Sequence, residues 1–130
     1  AEHVAQGKPV WAECGGMMLL FDTLVTLDGE HHAQWGLLPG TVSMQKRLAA
    51  LGPQQLALEE GVLRGHTFHY STSASPLAAA WRTARPDCAP APEAGEAVYH
   101  HGSIRASYFH AWFASSPEAT ARLFSAEPQP

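Results

Sequence analysis

The sequence has 130 residues, 45% of them hydrophobic and 15% charged, with a formal net charge of −4, the make-up of one globular domain or part of one. A negative balance with no lysine or arginine run argues against a nucleic-acid partner or an acidic membrane surface. No apolar stretch reaches membrane-spanning length, no basic-then-apolar leader opens the chain, and two cysteines make no disulfide framework, which points to a reducing cytoplasm.

Ala1–Lys8 reads as the end of a helix that starts before the chain does, with Gly7 as its cap. Pro9–Ala12 is a short strand, and an apolar helix is expected over Gly16–Leu24. Val25–Leu27 and Ala33–Leu37 suggest strands paired around the Asp28-Gly29 turn. Further strands are expected at Thr41–Gln45, Gln54–Leu58 and Val62–Tyr70, with a turn at Glu60-Gly61. Leu77–Thr83 fits strand or helix, and Ala84–Glu96, with three prolines, is a loop. Ala97–His100 and Ile104–Phe109 form a strand pair around His101-Gly102-Ser103. Ser116 is the N-cap and Pro117 the first residue of a last helix through Ser125, with Leu123 and Phe124 facing inward, and Glu127–Pro130 is a frayed tail. The class is mixed α/β with a β-rich middle section.

Chemistry concentrates at Cys14. It falls where the first strand bends into the first long helix, flanked by Ala12, Gly15 and Gly16, which are small enough for a very tight turn. Such a corner holds its central side chain exposed and slightly strained, with unpaired helix amides nearby. The helix dipole at that point favours thiolate, and the amides offer donors to an oxyanion. Gly15 and Gly16 are therefore the candidate turn and oxyanion residues. Most lone cysteines are small core side chains, so the case needs a base. Cys88, in the proline-rich loop, is assigned no role.

Eight histidines raise the question of a metal. The pairs His31-His32 and His100-His101 point to opposite faces of a strand, and no Cys, Asp or Glu stands at a ligand spacing, so no metal site is expected. His110 is different: it ends the apolar run Ala106–Phe109, and a histidine at the tip of a core strand sits on the ligand-binding edge of an α/β sheet. If the Cys14 strand runs parallel to it, thiol and imidazole share that edge and can act as nucleophile and base. The alternation over His66–Tyr70 places one set of side chains on the core and the other on a cleft or partner surface, making His66, His69 and Tyr70 candidate contacts.

Three segments in order, Ala12-Glu13-Cys14-Gly15-Gly16-Met17-Met18-Leu19-Leu20, Arg64-Gly65-His66-Thr67-Phe68-His69-Tyr70-Ser71 and Ala106-Ser107-Tyr108-Phe109-His110, resemble the C-terminal glutaminase domain of cobyrinate or hydrogenobyrinate a,c-diamide synthases. These are triad-type class I glutamine amidotransferases of cobalamin biosynthesis, and the likeness covers nearly all of Gly7–Phe124. It implies a flavodoxin-like domain lacking its N-terminal strands. It also implies that Cys14 attacks glutamine with His110 as base, the Gly15 amide serving as one oxyanion donor. A separate synthetase domain, of which nothing is visible in this sequence, would use ATP and Mg²⁺ to activate the a and c carboxylates of the corrinoid. A homodimer of the full-length enzyme is an assembly compatible with this reading.

Three departures from the family pattern stand out. Trp112 occupies the position of the His-x-Glu glutamate that orients the imidazole, leaving the orienter of His110 unidentified. Thr67 stands where glutamate is common, so that carboxylate's role is expected to be lost. The upstream Gly-rich loop that supplies a second oxyanion donor is not in the chain. Other readings are a cysteine amidase or peptidase on the same elbow, a cobyric acid synthase or nickel-sirohydrochlorin a,c-diamide synthase glutaminase, and an inactive or partner-binding remnant.

Overall fold

The computed structural model describes residues 1–88 and 94–125; Glu127–Pro130 and part of the proline-rich loop lie outside them. Helix α1 (Glu2–Ala5) closes at Gly7, whose φ of +69° is the left-handed conformation glycine adopts without steric penalty. Strand β1 (Val10–Glu13) leads into α2 (Gly15–Leu20) with only Cys14 between them. The helix expected to reach Leu24 stops at Leu20, where Phe21 turns extended and begins β2 (Phe21–Val25). An apolar run of this length does not distinguish helix from strand. Here pairing decides: β2 lies antiparallel to β3 (His31–Ala33) and parallel to β4 (Leu38–Met44).

Strands β5 (Ala50–Leu58) and β6 (Gly61–His69) form a long hairpin, in register from Ala50 opposite His69 to Leu58 opposite Gly61. One residue later β7 (Ser71–Ala74), which the sequence reading does not anticipate, returns to pair with β4. Within the ambiguous Leu77–Thr83 only β8 (Trp81–Arg82) forms, against β9 (Ala97–His101). Strand β10 (Ile104–Ser107) pairs with β9 and is shorter than the expected Ile104–Phe109. After Ser107, whose hydroxyl accepts from the Phe109 amide, the chain leaves that sheet and β11 (His110–Trp112) joins β6 instead. Helix α3 (Pro117–Phe124) starts as expected, with Ser116 Oγ accepting from the Ala119 amide and Pro117 in the first turn. Leu123 is buried, but Phe124 is 46% exposed. Successive helical positions lie about 100° apart, so both cannot face one core; Phe124 meets Phe113 edge-on at the surface.

Among the described residues the strands make three sheets, ordered β1-β10-β9-β8, β11-β6-β5 and β3-β2-β4-β7. The class is mixed α/β with few helices, and β1 lies parallel to β10, Glu13 opposite Ser107, consistent with a truncated flavodoxin-like fold. The first sheet is covered on both faces. On one face Tyr99, Ile104 and Ala106 join Met17, Leu20, Phe21, Leu38 and Val42. On the other, Val98 joins Leu56, Leu63, Phe109, Ala119 and Leu123. Strand alternation sends neighbours to opposite cores. On the α3 side Arg105 is buried, its Nη1 donating to Leu123 O at 2.9 Å, at the helix end where a cation is favoured.

Candidate active site

Cys14 joins two elements through its own backbone. Its amide donates to Ser107 O at 2.8 Å, extending the β1–β10 ladder, and its carbonyl accepts from Met18 N at 2.9 Å, the first bond of α2. Being claimed by a strand and a helix at once forces φ to +46°, the only positive value at a non-glycine among the described residues. A side chain held in that region is strained by roughly 1–3 kcal/mol, a feature of nucleophile elbows. The thiol is half-buried, with Sγ 4.0 Å from Phe68 O. A Cβ at Gly15 or Gly16 would meet no atom within 4 Å. The strain of the turn therefore sits at Cys14 itself, and the two glycines leave open space rather than relieve a clash.

The expected bias toward thiolate is not found. Burial pushes the Cys14 thiol above its ordinary 9.0; the Gly15 amide pulls it down less, and the charges of Glu96 and Glu13 add to the rise. The helix behind the sulfur has six residues, too few for much of a macrodipole. Of these influences only the Gly15 amide favours thiolate.

His110 opens β11, opposite His66 on β6, instead of ending a strand beside β1. The two imidazoles stack with centroids 4.9 Å apart and planes inclined 18°. His110 Nδ1 faces Glu13 Oε2 at 3.4 Å. The other carboxylate oxygen, Glu13 Oε1, accepts from Trp11 Nε1 at 2.7 Å and from the Ala111 amide at 3.0 Å. Trp112, at the position where an orienting glutamate was sought, is 61% exposed. Gly65 makes the approach possible: a Cβ there would sit 1.9 Å from His110 O and 2.6 Å from the Phe109 ring.

Along β6 the expected alternation holds, with Thr67 and His69 buried and His66, Phe68 and Tyr70 exposed. This separates the three candidate contacts. His66 and Tyr70 lie on the open face with Phe68, Tyr70 and Phe68 meeting edge-on at 5.7 Å, whereas His69 is 8% exposed and points inward. His69 stacks on Tyr108 at 3.6 Å; its Nδ1 faces Ser71 O at 2.7 Å and its Nε2 faces Glu96 Oε1 at 2.9 Å. Thr67 Oγ1 donates to the same carboxylate oxygen at 2.6 Å. Position 67 therefore does have a carboxylate beside it, supplied by Glu96 from just before β9. Burial opposes ionisation of Glu96, but the hydrogen bonds from His69 and Thr67 outweigh it and hold the group below its ordinary 4.5. Both ring nitrogens of His69 thus lie within hydrogen-bond distance of oxygens, one of Ser71 and one of Glu96. Burial pushes the Tyr108 hydroxyl up to about 12 against the hydrogen bond it accepts from Ser71. Beside this cluster lies a polar cavity of about 230 Å³ lined in part by Arg82, Glu96, Tyr99 and Tyr108.

Glu13 and Glu96 are the two side chains the sequence reading missed at this corner. Glu13 lay in plain view as the neighbour of Cys14, but its link to Ala111 spans 98 residues and carries no local signal. Among the described residues no three His, Cys, Asp or Glu side chains converge as a metal site, and no helix is long and apolar enough to cross a membrane. Cys88 is exposed and free.

Residues 1–118 match the family model described as CobB/CobQ-like glutamine amidotransferase domain. The chain is 49% identical over 127 residues to a cobyrinate a,c-diamide synthase of Herminiimonas arsenicoxydans, covering 98% of this chain and 28% of that protein. It is 47% identical over 126 residues to a hydrogenobyrinate a,c-diamide synthase of Pseudomonas aeruginosa, covering 95% of this chain and 28% of that protein. A hydrogenobyrinate a,c-diamide synthase of Stutzerimonas stutzeri is 48% identical over 121 residues, covering 93% and 27%. The chain thus spans under a third of the length of these curated relatives.

Proposed function

Since the chain belongs to the family of CobB/CobQ-like glutamine amidotransferase domains, we propose that it is the glutaminase part of a cobyrinate or hydrogenobyrinate a,c-diamide synthase, the two names its relatives carry. Glutamine is the nitrogen donor and the corrinoid carboxylates are the acceptors. The observation that carries the reading is the strained cysteine at the strand-to-helix corner, beside the β6–β11 pair that bears His110.

In this proposal the thiol proton of Cys14 passes to the free ring nitrogen of His110 as the sulfur attacks the side-chain amide carbon of glutamine. Because burial and the neighbouring carboxylates disfavour thiolate at Cys14, the attack calls for a base at neutral pH. Negative charge on the former carbonyl oxygen meets the Gly15 amide, approached through the open space in front of Gly15 and Gly16. His110 returns the proton to the leaving nitrogen, and the C–N bond breaks to give ammonia and a γ-glutamyl thioester. Water, deprotonated by His110, then cleaves the C–S bond, yielding glutamate and the thiol.

The sequence contains no phosphate-loop pattern, and no acidic cluster converges among the described residues. These residues do not fit ATP and Mg²⁺, and the proposal assigns carboxylate activation to a separate synthetase part of the protein. The test is Cys14→Ala in the complete enzyme. Glutamine-dependent amidation should vanish while amidation from added ammonia persists, and His110→Ala should strongly reduce glutamate release. Unchanged glutamine use by Cys14→Ala would overturn the reading.

A further inference from the structure

We propose that Glu13, the residue immediately before the nucleophile, is the positioning residue for the His110 imidazole, replacing an orienter two residues after the histidine. The inference rests on the glutaminase reading for its kinetic consequence but not for its structural one.

The carboxylate is fixed before it meets the ring. Oε1 takes two donors, Trp11 Nε1 and the Ala111 amide. One of these is on its own strand and the other is on the residue after His110, so β1 and β11 are tied through a single oxygen. This leaves Oε2 facing His110 Nδ1 at 3.4 Å, with stacking on His66 limiting ring rotation on the other side. The separation is slightly beyond an ordinary N–H···O bond of about 2.7–3.2 Å, and contacts of this kind commonly shorten when substrate is bound. An ionised carboxylate only accepts, so it selects the ring tautomer with the proton on Nδ1. That tautomer leaves the Nε2 lone pair as the base. Strand β1 therefore delivers both nucleophile and orienter, and the exposed Trp112 is no loss.

Glu13→Gln reverses the instruction. With its amide oxygen retained by Trp11 and Ala111, the –NH₂ faces Nδ1, donates to it and drives the ring proton to Nε2. In a Ser-His-Asp enzyme a comparable change lowers kcat about 10⁴-fold. In the full-length protein Glu13→Gln should lower kcat for glutamine hydrolysis by about 10²–10⁴-fold with KM changed less than about threefold. A purely packing role would not produce that split. Independently of any variant's folding, ¹⁵N-histidine NMR of the unsubstituted protein at a pH where the ring is neutral should show His110 protonated at Nδ1 and unprotonated at Nε2. The signals are assigned by their absence in His110→Ala. An Nε2-protonated ring in the unsubstituted protein, or a Glu13→Gln enzyme with kcat within about threefold of normal, overturns the assignment. The tautomer seen by NMR does not depend on the Cys14→Ala outcome, so failure of the positioning role and failure of the glutaminase reading are told apart.

Discussion

At Cys14 three influences meet, and their order of size decides its state. Burial raises the thiol most, the Gly15 amide offsets part of that, and the Glu96 and Glu13 charges push upward again. The carboxylate that orients His110 is therefore also one that discourages thiolate at rest. Measured in a Cys88→Ser background, alkylation of Cys14 by iodoacetamide should rise with pH along a curve whose midpoint lies above the ordinary thiol value of 9.0. Glu96→Gln removes a negative charge and should move that midpoint down. A midpoint below 9.0 in the unsubstituted protein would contradict the balance of burial and charge described here.

Among the elements, the pairing of β11 with β6 is the one that brings the imidazole to the corner, and it depends on Gly65. A methyl at that position would sit 1.9 Å from the His110 carbonyl, far inside contact distance, so the strands must part. Gly65→Ala is expected to cost about 1–3 kcal/mol in urea unfolding, as overpacking does, and to lower glutaminase kcat by moving His110. Full stability and full activity together would show that β11 can be repositioned freely. The same elements mark what the sequence could convey. The Cys14 elbow was legible because small residues between a strand and an apolar helix form a local pattern, and Ser116-Pro117 announced α3 for the same reason. The end of α2 was not, since Phe21–Val25 is apolar enough for either helix or strand and only its neighbours β3 and β4 settle the matter. The break after Ser107 was equally hidden: a serine hydroxyl caps the Phe109 amide, and His110 changes sheets.

Across the whole molecule, a buried polar junction sits where the three sheets come together. His69 comes from β6, Ser71 from β7, Tyr108 from just after β10, and Glu96 from just before β9, and each is hydrogen-bonded or stacked on another. Satisfied buried networks of this kind hold one arrangement of elements in preference to others. Here the arrangement keeps Phe68, two residues after the ring stacked on His110, against the Cys14 sulfur. The central claim is that this corner is a glutaminase site with Cys14 as nucleophile. It is tested most directly by treating the full-length protein with a glutamine-mimicking electrophile and mapping the adduct by mass spectrometry. The account predicts a single adduct on Cys14, suppressed by glutamine and lost in Cys14→Ala. An adduct on Cys88 instead, or labelling of Cys14 that glutamine does not suppress, would contradict it.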